Sequence, residues 1–165
     1  MNAPQESEGT AFVKARAAVE RLLKFRPRSA GEIADKLKDK GYTKTVTEQT
    51  ISYFTKLGLI DDVAFTKGWV QSRLNKPYGT RRIIQELKQK GIKDETIAGE
   101  LEKARSNYDE LETVTRISNI RIKVYKNLDK IRTRRRLQDY LLRRGFSPET
   151  IQKALRGLFK DDDRE

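Results

Sequence analysis

One eleven-residue pattern occurs three times in this chain, and it limits the possible folds more than any other feature. Residues 32–42 read EIADKLKDKGY, residues 82–92 read RIIQELKQKGI, and residues 136–146 read RLQDYLLRRGF. In each copy an aliphatic residue (Ile33, Ile83, Leu137) precedes a Leu (Leu37, Leu87, Leu141) by four positions, and a Gly (Gly41, Gly91, Gly145) follows after four more. A spacing of four places the aliphatic pair on one helical face. The Gly then ends the helix, because it reaches positive φ without steric cost. A base before each Gly (Lys40, Lys90, Arg144) suits the negative end of the helix dipole. The apolar residue after it (Tyr42, Ile92, Phe146) is placed to fold back as in a Schellman cap.

A second short helix follows each Gly. In copy two, Asp94 is the expected N-cap, with Ile97 and Leu101 inward; in copy three Ser147 is the N-cap, Pro148 takes the first helical position, and Ile151 and Leu155 point inward. Copy one has four extra residues before Ile51, Phe54 and Leu57, and Gly58 stops it. A further helix precedes each pattern. It spans about 11–25 with Phe12, Val19, Leu22 and Leu23, about 62–75 with Phe65, Trp69, Val70 and Leu74, and about 109–127 with Leu111, Val114, Ile117, Ile120 and Val124. Ser29 and Thr80 read as N-caps of the middle helices. No sustained period-two alternation signals a strand.

The expected fold is therefore all-α: three tandem three-helix repeats forming an elongated, curved array, with repeats at 11–60, 61–106 and 107–159. A unit of this size is marginal alone and gains stability by packing on its neighbours. Residues 1–10 read as a disordered N-terminus and 160–165 (KDDDRE) as an acidic tail.

Composition narrows the function. The chain has 36 Lys plus Arg against 24 Asp plus Glu, a net charge of +12, and no Cys or His. A thiol nucleophile, a Ser-His-Asp triad, a Cys/His zinc site and a disulfide framework are thereby excluded. No apolar run reaches the roughly 18 residues of a membrane span. The opening MNAPQESEG lacks the basic and apolar regions of a secretory signal. The expectation is a soluble, cytoplasmic protein without a cofactor, acting as a monomer and not at a membrane. Its basic charge lies in two blocks. Positions 116–144 hold eleven Lys/Arg against two Asp, and positions 67–93 hold eight against one Glu; the acidic stretch 94–115 separates them. Such blocks favour a polyanion, with nucleic acid first.

The first candidate cluster is Arg73, Lys76, Tyr78, Arg81, Arg82, Lys88 and Lys90. Arg81 and Arg82 sit in a first helical turn, where the dipole disfavours cations, and such a local conflict points to a partner. The alternative is a surface pair between Arg82 and Glu86 at spacing four. The second cluster is Lys130, Arg132, Arg134, Arg135, Arg136, Arg143 and Arg144, which either line a groove-facing stripe or simply solvate the helix. Arg21, Lys24, Arg26 and Arg28 form a weaker third patch. Asp61 and Asp62 read as helix caps rather than metal ligands. Trp69 reads as a core anchor, because Phe65 lies four residues before it. No Walker-type loop suggests nucleotide hydrolysis, and no catalytic or metal-binding residue is assigned.

These repeats resemble the RecX family of recombinase regulators. The resemblance rests on GLIDDVAFTKGWVQSR at 58–73, running on into NKPYGTRRIIQELKQKGI at 75–92. It also rests on RRRLQDYLLRRGFSPETIQKAL at 134–155 and RPRSAGEIADKLKDKGY at 26–42, and it covers roughly residues 12–159. Thr80 stands where the family often has Pro after the Gly. The resemblance implies a non-enzymatic protein of recombination, DNA repair and the SOS response. Such a protein binds filaments of the RecA recombinase on single-stranded DNA and usually inhibits their ATPase and strand exchange, by groove binding, end capping or disassembly. It also implies weak binding to DNA, single-stranded or double-stranded. The competing reading of the same paired helices is a direct DNA-binding protein of helix-turn-helix type.

Overall fold

A computed structural model describes residues 7–106 and 108–159. Among the described residues there are nine α-helices and no strand. They are α1 (Glu8–Phe25), α2 (Ala30–Asp39), α3 (Lys44–Lys56), α4 (Asp62–Leu74), α5 (Thr80–Gln89), α6 (Asp94–Arg105), α7 (Glu110–Ile122), α8 (Lys130–Arg143) and α9 (Pro148–Leu158), with a 3-10 turn at Lys123–Tyr125 after α7. α1 begins ahead of the expected residue 11, because the Ser7 side chain accepts from the Thr10 amide and caps it. Residues 7–10, expected to be disordered, are thus this cap and the first helical turn. The remainder of both expected terminal segments, residues 1–6 and 160–165, lies outside the described residues.

The glycine corners form as their spacing predicts. Gly41, Gly91 and Gly145 take φ of 82°, 74° and 83°. Each corner closes with paired amides. Gly41 N donates to the Lys38 carbonyl and Tyr42 N to that of Leu37; Ile92 N donates to Leu87 and Phe146 N to Leu141. This is the Schellman pattern, and it tucks Ile92 and Phe146 into the interior.

The chain forms two compact units. The first comprises the described residues up to Gly68 together with Leu87–Ile97. Its core gathers Ala15, Ala18, Val19, Ile33, Leu37, Val46, Phe54 and Ile60, with α1 and α2 both packed on α3. The second comprises Trp69–Glu86 and the described residues from Ala98 onward. Its core gathers Val114, Ile117, Leu137, Leu141, Phe146, Ile151, Ala154 and Leu155, with α7 and α8 packed on α9. Fully burying one such aliphatic or aromatic side chain contributes about 1.5–3 kcal/mol.

Each unit contains the same joint, in which the start of a middle helix sits on the next glycine corner. In the first unit Ser29 Oγ donates to the Lys90 carbonyl at 2.7 Å, and Gly31 meets Gly91 so closely that a Cβ there would stand 2.8 Å from Gly91 Cα. Asp62 Oδ1 accepts from the Ala30 amide at 2.8 Å. In the second unit Gly79 N donates to the Arg144 carbonyl at 2.9 Å and Arg81 N to the Gly145 carbonyl at 3.1 Å. Glu110 accepts from the Thr80 hydroxyl and from the Ser147 amide, which ties the starts of α5 and α9 together.

Several expectations need correction. Thr80 is the first residue of α5 rather than its N-cap, because the Gly145 carbonyl serves the free amide and Thr80 Oγ1 turns to Glu110 instead. Asp94 is likewise the first residue of α6, and its carboxylate pairs with Lys88. Ile120 and Val124 are exposed, not inward; the 3-10 turn tightens the chain after α7, and Ile122 and Tyr125 pack on the core in their place. Leu57 is also exposed. Trp69 is only half-buried, while Phe65 and Val70 take the interior positions of α4.

Candidate nucleic-acid interface

The second basic cluster lies on α8. At about 100° per residue, Arg132, Arg136 and Arg143 fall within roughly 40° of one another, turned about 120° from the buried Thr133, Leu137 and Leu141. Arg135 lies roughly 80° from the middle of that stripe, and Arg134 stands on the other side of the helix, beside Leu141. Lys130 and all five of these Arg are exposed. Arg132 pairs with Asp129 at 3.1 Å, whereas Arg134, Arg135, Arg136 and Arg143 form no ion pair among the described residues. The Asp129 side chain also caps α8 by accepting from the Arg132 amide. The exposed Asp139 is the stripe's one acidic position.

Arg144, assigned to the same cluster, is set apart. It is half-buried and donates to the Pro77 carbonyl at 3.1 Å. Its guanidinium lies 5.4 Å from the centre of the Tyr78 ring and 4.8 Å from that of Tyr140.

The first cluster divides. Arg73, Lys76, Tyr78, Arg81 and Arg82 belong to the second unit, and Lys88 and Lys90 to the first. Lys76 and Arg81 are exposed and form no ion pair among the described residues. Arg73 and Arg82 converge on one carboxylate. Glu86 Oε2 accepts from Arg73 Nε at 2.6 Å and from Trp69 Nε1 at 3.0 Å, and Oε1 accepts from Arg82 Nε at 2.9 Å. The surface pair foreseen for Arg82 therefore exists, but within a three-donor arrangement. Burial by itself would raise the Glu86 carboxyl pKa. The hydrogen bonds from Arg73 and Arg82 outweigh it and hold the group below the usual carboxylate range. Tyr78 is ringed by guanidinium groups, with Arg82 at 4.3 Å and Arg73 at 5.8 Å from its centroid, and Arg73 also stacks on Trp69 at 4.2 Å.

In the first unit, Lys88 bonds Asp94 at 2.9 Å and Lys90 bonds Glu32 at 2.8 Å. Glu32 also binds Arg26 through both oxygens, at 2.8 and 2.9 Å. Burial would raise its pKa, yet the bonds from Arg26 and Lys90 lower it to about 2. Within the third patch Arg21 and Lys24 are exposed, Arg26 is held by Glu32, and Arg28 is half-buried with no partner for its Nε.

Asp61 Oδ1 accepts from the amides of Val63 and Ala64, and Asp62 caps α2, so both carboxylates serve backbone amides. Among the described residues no group of three or more Asp, Glu, Cys or His could hold a metal. Likewise no described helix is long and apolar enough to cross a membrane.

Sequence reasoning missed Glu86 as the meeting point of Trp69, Arg73 and Arg82, and Glu32 as that of Arg26 and Lys90. Only the spacing of Arg82 and Glu86 gave a signal.

Three family models match the chain in order. "RecX, first three-helix domain" covers residues 15–54, the second domain 61–101 and the third 108–155. The chain is 35% identical over 147 residues to "Regulatory protein RecX" of Pelodictyon phaeoclathratiforme, covering 87% of this chain and 89% of that protein. It is 34% identical to the protein of the same name from Chlorobium limicola, covering 85% and 86%. The crystal structure of RecX from Lactobacillus salivarius is similar in fold, with a TM-score of 0.76 at 22% identity, over 90% of this chain and 96% of that one.

Proposed function

Because this chain belongs to the RecX family of regulatory proteins, whose members are not enzymes, we propose that it acts in the cytoplasm as a regulator of the RecA recombinase. It binds RecA filaments on single-stranded DNA and inhibits their ATPase and strand exchange, by lying in the filament groove or by capping its end. The observation that carries this reading is the set of exposed cations with no ion pair among the described residues: Lys76 and Arg81 before and at the start of α5, and Arg134, Arg135, Arg136 and Arg143 on α8. Cations left unpaired in the free protein are available to phosphates or to acidic side chains. Tandem repeats suit a filament, because weak contacts joined in one chain gain from effective concentration on a periodic target.

The test is the single-strand-dependent ATPase of the recombinase, with this protein titrated well below one per protomer. Inhibition at that ratio is expected. No effect until the protein saturates the DNA would overturn the filament reading. The exposed arginine stripe of α8 also suits a second reading as a direct DNA-binding protein of helix-turn-helix type. Tight, sequence-specific duplex binding, with a log–log salt slope of about −0.9 per phosphate contact, would favour it.

A further inference from the structure

We propose that Trp69, Arg73 and Arg82 form an anion site for a backbone phosphate of single-stranded nucleic acid, and that Glu86 occupies this site in the unbound protein as an internal stand-in. The inference rests on the reading of this face as a polyanion surface. It adds a specific site and a mask over it.

The geometry is that of a built anion cradle. Three donors from two helices reach the two oxygens of one planar anion, at 2.6, 2.9 and 3.0 Å. Each guanidinium uses only its Nε in this contact, so the terminal nitrogens stay available for a larger anion with more acceptor oxygens. The charge is also out of balance. Residues 73–86 hold Arg73, Lys76, Arg81 and Arg82 against Glu86 alone, and Arg144 adds a further cation beside Tyr78. One carboxylate satisfies the donors but leaves the patch strongly positive, which favours exchange for a polyanion.

The surroundings favour nucleic acid over an acidic protein segment. Guanidinium planes lie over Trp69 and Tyr78, both rings are partly exposed, and alternating cations and aromatic faces are what unstacked bases pack against. A duplex keeps its bases stacked and offers none to these rings, so the ligand is a single strand.

Trp69 is the only tryptophan in the chain, and its indole N–H is bonded to the masking carboxylate. Its emission therefore reports whether Glu86 has left. The experiment titrates wild-type protein with an oligo-dT while following Trp69 emission, and measures anisotropy of a labelled oligo-dT in parallel. The variants are Glu86→Gln and, for the same change in net charge, Glu48→Gln on the exposed face of α3. Circular dichroism melts accompany each.

Emission is expected to change with oligo-dT saturation. Glu86→Gln is expected to bind at least about fivefold tighter than wild type, with a log–log salt slope steeper by about 0.7 for one more single-strand phosphate. Glu48→Gln is expected to stay within twofold. Equal gains from both variants would overturn the site. If Glu86→Gln fails to fold, an unchanged wild-type emission at saturating oligo-dT overturns it alone. An equal emission change with polyglutamate of matched charge would overturn the phosphate assignment in favour of a carboxylate partner. The two readings fail separately. Absent ATPase inhibition with these oligo-dT results intact removes the filament reading and leaves the site, whereas normal inhibition with a neutral Glu86→Gln does the reverse.

Discussion

Replacing Gly79 with Ala tests whether the glycine-corner joint holds the second unit together. A Cβ on Gly79 would fall far inside van der Waals contact of the Gly145 carbonyl and the Phe146 amide nitrogen. Those are backbone atoms of a corner whose next residue, Phe146, is fully buried, so no flexible side chain can yield. The start of α5 must lift away, and the bonds from Gly79 N to Arg144 and from Arg81 N to Gly145 are lost. At about 1 kcal/mol for each bond, plus a similar cost for half-buried groups left without partners, the loss is about 3 kcal/mol. For a chain of this length that lowers Tm by roughly 6–12 °C. Gly41→Ala is the internal standard. Its φ of 82° adds a backbone penalty of about 1 kcal/mol that Gly79, outside the positive-φ region, does not carry, but nothing lies within 4 Å of its Cβ position, so there is no clash. The assay is thermal and urea unfolding followed by helical circular dichroism. A Gly79→Ala variant that melts no lower than Gly41→Ala would refute the joint as a stabilising contact.

Further outcomes follow from other residues. The folded pKa of Glu32 is depressed to about 2 from 4.5, so its contribution is complete above about pH 4.5 and is lost as pH falls towards 2; allowing for residual solvent exposure it amounts to about 2–3 kcal/mol, and Glu32→Gln should flatten that part of an acid-stability profile. Arg136→Glu combined with Arg143→Glu should weaken oligonucleotide binding about tenfold by anisotropy while leaving Tm within about 2 °C, because neither side chain forms an ion pair among the described residues. Gly99→Ala in α6, with φ in the ordinary range and nothing within 4 Å, should raise stability by about 0.5–1 kcal/mol in urea unfolding.

The helices were legible in the sequence wherever local chemistry decides. The fourfold spacing of Ile33 and Leu37, and the glycines after such pairs, predict both the helices and their Schellman ends, because the cause lies within a dozen residues. The caps Ser29 and Ser147 were readable for the same reason. Thr80 departs from its expected capping role because the amides on either side of it, those of Gly79 and Arg81, are served by carbonyls some 65 residues away. Trp69 obeyed the apolar spacing yet stays half-buried, since its N–H is drawn to Glu86. The exposure of the α8 arginines followed from their crowding. The gathering of Arg73, Arg82 and Arg144 around Tyr78 did not, because it depends on which turns meet in three dimensions.

The joints also impose an order on synthesis. α2 is seated by Lys90 and Gly91, and α5 by Arg144 and Gly145. α2 and α5 are thus each completed by chain that leaves the ribosome later. A nascent chain released before residue 87 carries α1 to α3 but lacks the segment Leu87–Ile97 that belongs to the same compact unit. One released before Arg144 leaves the start of α5 with open amides. The C-terminal third is therefore the keystone of the repeat before it, because a chain that ends after α5 but before Arg144 leaves that helix unseated.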